Sequence, residues 1–145
     1  MLDARTLAAQ LRHPHGEAAL AVGESMNRSN GELNRAAITL LAVAPGEQVL
    51  EIGPGNAAFA PLLLQGADSR YLGIELSTAM VDAGNQHLAG TGPAARAALL
   101  PGASPPLPVA AASVAAAPAV TPLYFLPPPA PLLAEPPRRA PPACR

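Results

Sequence analysis

Proline divides this chain in two. Fifteen of its nineteen prolines lie between residues 93 and 145, which hold one acid, Glu135, whereas residues 1–92 hold four prolines and nine of the ten acids. Proline fixes φ and removes a backbone donor, so a helix or sheet interior tolerates few of them. In residues 93–145, 34 of 53 positions are Ala, Pro, Ser or Thr. Regular structure is therefore expected before residue 93 and not in the stretch beyond it.

The rest of the composition excludes several function classes. The 145 residues suffice for one modest domain. Nine Arg, no Lys and ten acids leave a net charge of −1, without the basic surface that holds nucleic acid phosphates. Cys144 stands alone, so neither a disulfide framework nor a thiolate metal cluster is expected. Asp3 and Arg5 precede no apolar block, and no apolar run reaches the length of a membrane span. These features suggest a soluble cytoplasmic protein without a membrane or nucleic acid partner.

Within residues 1–92 the pattern alternates between helix and strand periods. Asp3 can cap a helix from Ala4 to Leu11 that Pro14 ends, and a second short helix fits Glu17 to Asn27. Asn30 then caps a third, with Leu33, Ala37, Leu40, Leu41 and Ala44 on one face and Pro45-Gly46 as its stop. Gln48-Val49-Leu50-Glu51-Ile52 reads as a strand, Ala58 to Gln65 as a helix, Tyr71-Leu72-Gly73-Ile74 as a second strand, and Thr78 to Leu88 as a helix capped by Ser77. A right-handed β-α-β-α crossover makes the two strands parallel neighbours, with ligand space beyond their carboxyl ends.

Between the first strand and its helix lies Gly53-Pro54-Gly55-Asn56-Ala57. Two glycines let the backbone bend sharply and approach a ligand, and a following helix would aim free N–H groups at it. Glu75 ends the second strand, twenty residues after Gly55, where a carboxylate can accept from two ribose hydroxyls. Gly53, Gly55 and Ala58 also satisfy Gly-x-Gly-x-x-Ala, so an NAD(P)-binding oxidoreductase fragment is an alternative. Glu51 counts against it, because dinucleotide-binding strands usually carry an apolar residue there.

The runs "VLEIGPGNAAF" and "YLGIELSTAMVDAG" resemble the first two motifs of class I S-adenosylmethionine-dependent methyltransferases of the broad small-molecule type. Glu51, Gly53 and Gly55 match the first motif and Glu75 the second, while Ala57 stands where a third glycine is usual. The resemblance implies a Rossmann-like three-layer αβα sandwich, S-adenosylmethionine as cofactor and a small-molecule methyl acceptor. It also implies that the glycine turn lies against the methionine part of the cofactor and that Glu75 holds its ribose. Glu51, Gly53, Pro54, Gly55, Asn56, Ala57, Glu75 and Leu76 form the expected cofactor site. "GESMNRSNGELNRAAITLL" is similar to the helical segment that covers cofactor and substrate in such enzymes. The chain then divides into an N-terminal helical cap (1–44), a cofactor-binding βαβα half (45–92) and a degenerate continuation (93–145).

That continuation keeps the family's outline without its acids. Ala103 stands where an adenine-contacting Asp is expected and Ala115 where the fourth strand's Asp would be. Pro136 and Pro137 interrupt the helix of Glu135, Arg138 and Arg139. The sheet is expected to be incomplete, with an exposed edge and only two strands before residue 93. A non-catalytic remnant is thus a further alternative. Met26 and Asn27 are candidates for a substrate pocket, as are Tyr124 and Phe125, and no catalytic base is assignable. His13 and His15 flank Pro14 and are expected in an exposed loop rather than at a metal, His87 is expected on the polar side of a helix, and Cys144 is expected to be inert.

Overall fold

The computed structural model describes residues 3–66, 68–90 and 94–103. Tyr124, Phe125, Ala115, Glu135, Pro136, Pro137, Arg138, Arg139 and Cys144 lie outside the described residues. The elements run α1 (Ala4–Arg12), α2 (Ala19–Leu41), β1 (Gln48–Ile52), α3 (Ala60–Leu63), β2 (Arg70–Glu75), α4 (Thr78–Gly90) and β3 (Ala97–Pro101). The three strands among the described residues are parallel in the order β1-β2-β3, with Val49 opposite Tyr71 and Tyr71 opposite Ala97. This arrangement is the expected Rossmann-like α/β fold in incomplete form.

Local chemistry accounts for the ends of the elements. Asp3 caps α1 by accepting the N–H groups of Arg5 and Thr6, both at 2.9 Å, and the Thr6 hydroxyl at 2.7 Å. These bonds, those from Thr6 foremost, hold its carboxyl below the usual range. Ser77 caps α4 with its hydroxyl 3.4 Å from the N–H of Met80.

Three expectations need correction. The two expected helices over Glu17–Asn27 and from Asn30 onward are one continuous α2 of 23 residues, with Asn30 in its interior. Its buried positions are Ala19, Val22, Gly23 and Gly31. Leu33 and Leu40 are 52% and 84% exposed. Small residues, not large apolar ones, form the packed stripe, because α2 approaches α4 so closely that a Cβ at Gly23 would lie 2.6 Å from Met80 Cε. The helix also ends at Leu41, before Pro45, where Ala42 turns left-handed at φ 48°.

The second correction concerns α3, which has four residues instead of the eight expected over Ala58–Gln65. Ala57 at φ 54° interrupts the chain ahead of it, so no helix start adjoins the glycine turn. The third concerns the proline-rich stretch, where no regular structure was expected: β3 lies within it and adds a third strand to the two before residue 93. Residues 94–100, AARAALL, contain no proline, and Pro101 closes the strand where a missing donor is tolerated. The outward N–H and C=O of Leu99 are bonded to the side-chain amide of Asn85 at 2.9 and 3.0 Å. A carboxamide thus occupies part of the outer side of β3.

The core lies against the sheet face that carries Val49, Tyr71 and Leu99. Ala57, Ala60, Leu63 and Leu64 cover it together with Val81 and Leu88 of α4, and Ile38 and Leu41 pack at its margin. Leu50 and Ile74, pointing to the opposite face, are also fully buried. Burial on both faces is the mark of a parallel sheet and explains the near-continuous apolar runs of β1 and β2.

Candidate functional site

The carboxyl ends of β1 and β2 open into a cleft of about 370 Å³. Its floor is the turn after β1. The N–H of Gly53 extends the ladder to Ile74 O at 2.8 Å, and Gly53 and Gly55 then adopt φ 64° and 60°. A Cβ at Gly55 would meet nothing within 4 Å. The space above this turn is open, as a ligand approaching the backbone requires.

Glu75 connects the two strand ends. It is 7% exposed, and its carboxylate accepts the N–H of Gly55 at 2.9 Å and that of Ser77 at 2.8 Å. The acid at the end of β2 therefore braces the turn after β1 across twenty residues of sequence. Two bonds leave lone pairs on both of its oxygens for a ligand.

Glu51 lies beneath the same turn and lines the cleft. It faces Gly73 in the sheet register, and the absence of a side chain there lets Tyr71 lean along β2 and donate its hydroxyl to Glu51 at 2.7 Å. A Cβ at Gly73 would lie 2.8 Å from the Pro54 ring and 3.0 Å from the Tyr71 hydroxyl. Burial raises the Glu51 carboxyl to about 7, the Tyr71 bond opposes the rise and the nearby Glu75 adds to it. Burial, with Glu51 beside it, also pushes the Tyr71 phenol well above its usual range.

Seven of the eight expected cofactor residues, Glu51, Gly53, Pro54, Gly55, Asn56, Glu75 and Leu76, line this one cleft. Ala57 does not; it is 1% exposed and packs in the core cluster. Its left-handed backbone shows why a glycine would fit there and what the methyl costs, about 1 kcal/mol. Met26 and Asn27 also line the cleft, and Asn27 donates to the Asn56 side chain at 2.9 Å. Ala103 stands at its margin after β3, offering a methyl where an Asp was expected.

Other walls escaped the sequence reading. Asn30, Asn34 and Phe59 line the cleft, as do Leu11, Arg12, His13 and Pro14. Asn inside a helix is an unfavourable choice, and that is the signal for Asn30 and Asn34; at Asn30 the same preference suggests a helix cap instead. Nothing local indicates where Leu11–Pro14 dock. The exposed His13 and His15 place their rings 6.0 Å apart, and His15 Nδ1 lies 2.8 Å from the His13 carbonyl. No three His, Cys, Asp or Glu side chains among the described residues come together as metal ligands. Among those residues, no helix is long and apolar enough to cross a membrane.

No family model matches the chain, and no curated protein sequence does. Solved structures do resemble it. One is the complex between the Haloferax volcanii Trm112 methyltransferase activator and a protein described as a methyltransferase (TM-score 0.78, 19% identity, covering 95% of this chain and 57% of that one). Another is a SAM-dependent methyltransferase from Aquifex aeolicus (0.71, 19%, 84% and 67%). A third is a SAM-dependent methyltransferase from Thiobacillus denitrificans in complex with S-adenosyl-L-homocysteine (0.66, 18%, 78% and 45%). The chain thus spans roughly half to two thirds of the length of these structures. These neighbours do not favour the dinucleotide alternative, and the described residues have the fold of the class I S-adenosylmethionine-dependent methyltransferases.

Proposed function

We propose that the cleft binds S-adenosylmethionine and that the chain belongs to an enzyme transferring its methyl group to a small-molecule acceptor. The observation that carries this reading is the Glu75–Gly55 brace, an acid with spare lone pairs held at the edge of an unobstructed glycine turn. Bound there, the cofactor would supply a sulfonium methyl for displacement by an acceptor's lone pair, with S-adenosylhomocysteine as the leaving group. That displacement depends on alignment more than on a dedicated acid or base.

The residues of the chain bind and orient. Glu75 accepts the ribose hydroxyls, and the open backbone of Gly53 and Gly55 lies along the methionine end. Glu51, ionised, offers its carboxylate to the ammonium there; a cation beside it lowers its pKa, so binding below neutral pH releases a proton. Asn27 and Asn56, joined to each other, form the wall on the α2 side.

Titration of the full chain with S-adenosylhomocysteine and with NADH tests the reading. Saturable binding of the first and none of the second is expected. Binding of NADH alone reverses the assignment, and binding of neither leaves the chain as a remnant with the fold but not the site.

A further inference from the structure

In α1 only one residue is buried, and it is polar: Gln10, 5% exposed. Its carboxamide is engaged at both ends, donating to the His15 carbonyl at 2.9 Å and accepting the His15 N–H at 3.0 Å. The side chain acts as a short strand would, folding residues 13–15 back onto α1 as one unit. Leu11, Arg12, His13 and Pro14 of that unit form a wall of the cleft. A second pin joins the unit to the rest of the site, where the Ser77 hydroxyl donates to the Pro14 carbonyl, 63 residues away in sequence. Ser77 stands two residues after Glu75 and gives that acid its own N–H.

Resting on the cofactor reading above, we propose that residues 11–15 are a strap across the cofactor cleft, and that Ser77 is the positioning residue that latches it shut. The strap has no large buried apolar anchor: Leu7 of α1 is 42% exposed, and Leu11 is half-buried in the cleft wall itself. Segments held by a few hydrogen bonds open locally far more often than the core unfolds, and such segments serve as lids. A ligand under the strap leaves when the latch opens, so the latch sets its residence time. The strap's polar pins also fit a segment that must release and return, since broken hydrogen bonds are replaced by bonds to water.

The test uses the full chain with three substitutions. Ser77→Ala removes the donor to Pro14, Ser77→Thr keeps a hydroxyl, and Gln10→Ala removes the other pin without touching α4. Amide exchange at residues 11–16 is measured without ligand, and the dissociation rate of S-adenosylhomocysteine by rapid mixing. Loss of one hydrogen bond predicts a rise of about tenfold in both quantities for Ser77→Ala, with recovery in Ser77→Thr. Gln10→Ala should raise exchange at His15 and Gly16 to a similar degree. Because Ser77 also caps α4, a Ser77→Ala protein that loses protection in α4 passes the decision to Gln10→Ala. Unchanged exchange in folded variants overturns the latch, and raised exchange with unchanged dissociation overturns the strap's hold on the cofactor. If S-adenosylhomocysteine does not bind the wild type, the cofactor reading fails, and exchange alone decides whether Ser77 holds the strap.

Discussion

Glu51 and Glu75 are both acids at the ends of adjacent strands, yet their surroundings differ. Glu75 accepts two main-chain N–H groups, whereas Glu51 has one phenol and a burial that raises it to about 7. A raised acid binds its proton more tightly in the folded state than in the unfolded chain. Its contribution is therefore fully present below about pH 4.5 and is lost as pH rises to about 7. Glu51→Gln, which mimics the protonated form, should flatten that dependence and stabilise the protein at pH 8 by up to ~3 kcal/mol. Denaturant melts at pH 5 and pH 8 measure it. The same substitution should weaken S-adenosylhomocysteine, whose affinity for the wild type should fall as pH drops from 7.5 to 5.5.

Gly55 offers a second separation of stability from binding. Its φ of 60° makes an alanine there cost about 1 kcal/mol of stability, while the added methyl projects into open space. Gly55→Ala should thus melt only slightly earlier and bind S-adenosylhomocysteine at least tenfold more weakly, as calorimetry can measure. Equal affinity would place the ligand away from the turn.

Among the elements, β1 and β2 are legible almost to the residue, β1 because a short apolar run followed by Gly-Pro-Gly has few other solutions, β2 because its apolar run ends on an acid and a helix-capping Ser77. By contrast, α2 was misread for a physical reason. Its packed stripe is Ala19, Val22, Gly23 and Gly31 and its cleft stripe is mostly Asn, so neither shows as a hydrophobic period. Residues that lower helix propensity persist where they serve close packing or a site, and those are the positions at which local rules fail. The third strand was hidden by averaging, since a proline-free heptad sits inside a proline-rich stretch. Its outer edge supplies a prediction at this scale: Asn85→Ala leaves the Leu99 N–H and C=O without their side-chain partner. A loss of about 1–3 kcal/mol and faster amide exchange at Leu99 should follow, measured on the same sample.

At the level of the whole molecule, the described part has one sheet, one principal core cluster against one of its faces, and a cleft at the strand ends. The cleft draws on the turn after β1, the end of β2, α2, Phe59, the strap before Ala19 and the residues after β3. Sequence motifs identified the first two contributors, because glycines and acids at fixed spacing have a direct chemical reason. For α2, the similarity of residues 23–41 to a covering helix indicated Met26 and Asn27, whereas the walls of Asn30, Asn34 and the strap depend on packing between distant segments, which no local pattern encodes. A ligand bound across all these elements should stabilise them together: S-adenosylhomocysteine at a hundred times its Kd should add about 2.7 kcal/mol to unfolding, seen as a rise in melting temperature.

The proposed cofactor site is the Glu75-braced glycine turn. Amide chemical shifts of the full chain, followed by NMR as S-adenosylhomocysteine is added, test it most directly. Saturable shifts concentrated at Gly53, Gly55, Asn56, Leu76 and Ser77, and absent with NADH, are the predicted result. Saturation with no change at those amides, or no saturable change anywhere, would contradict it.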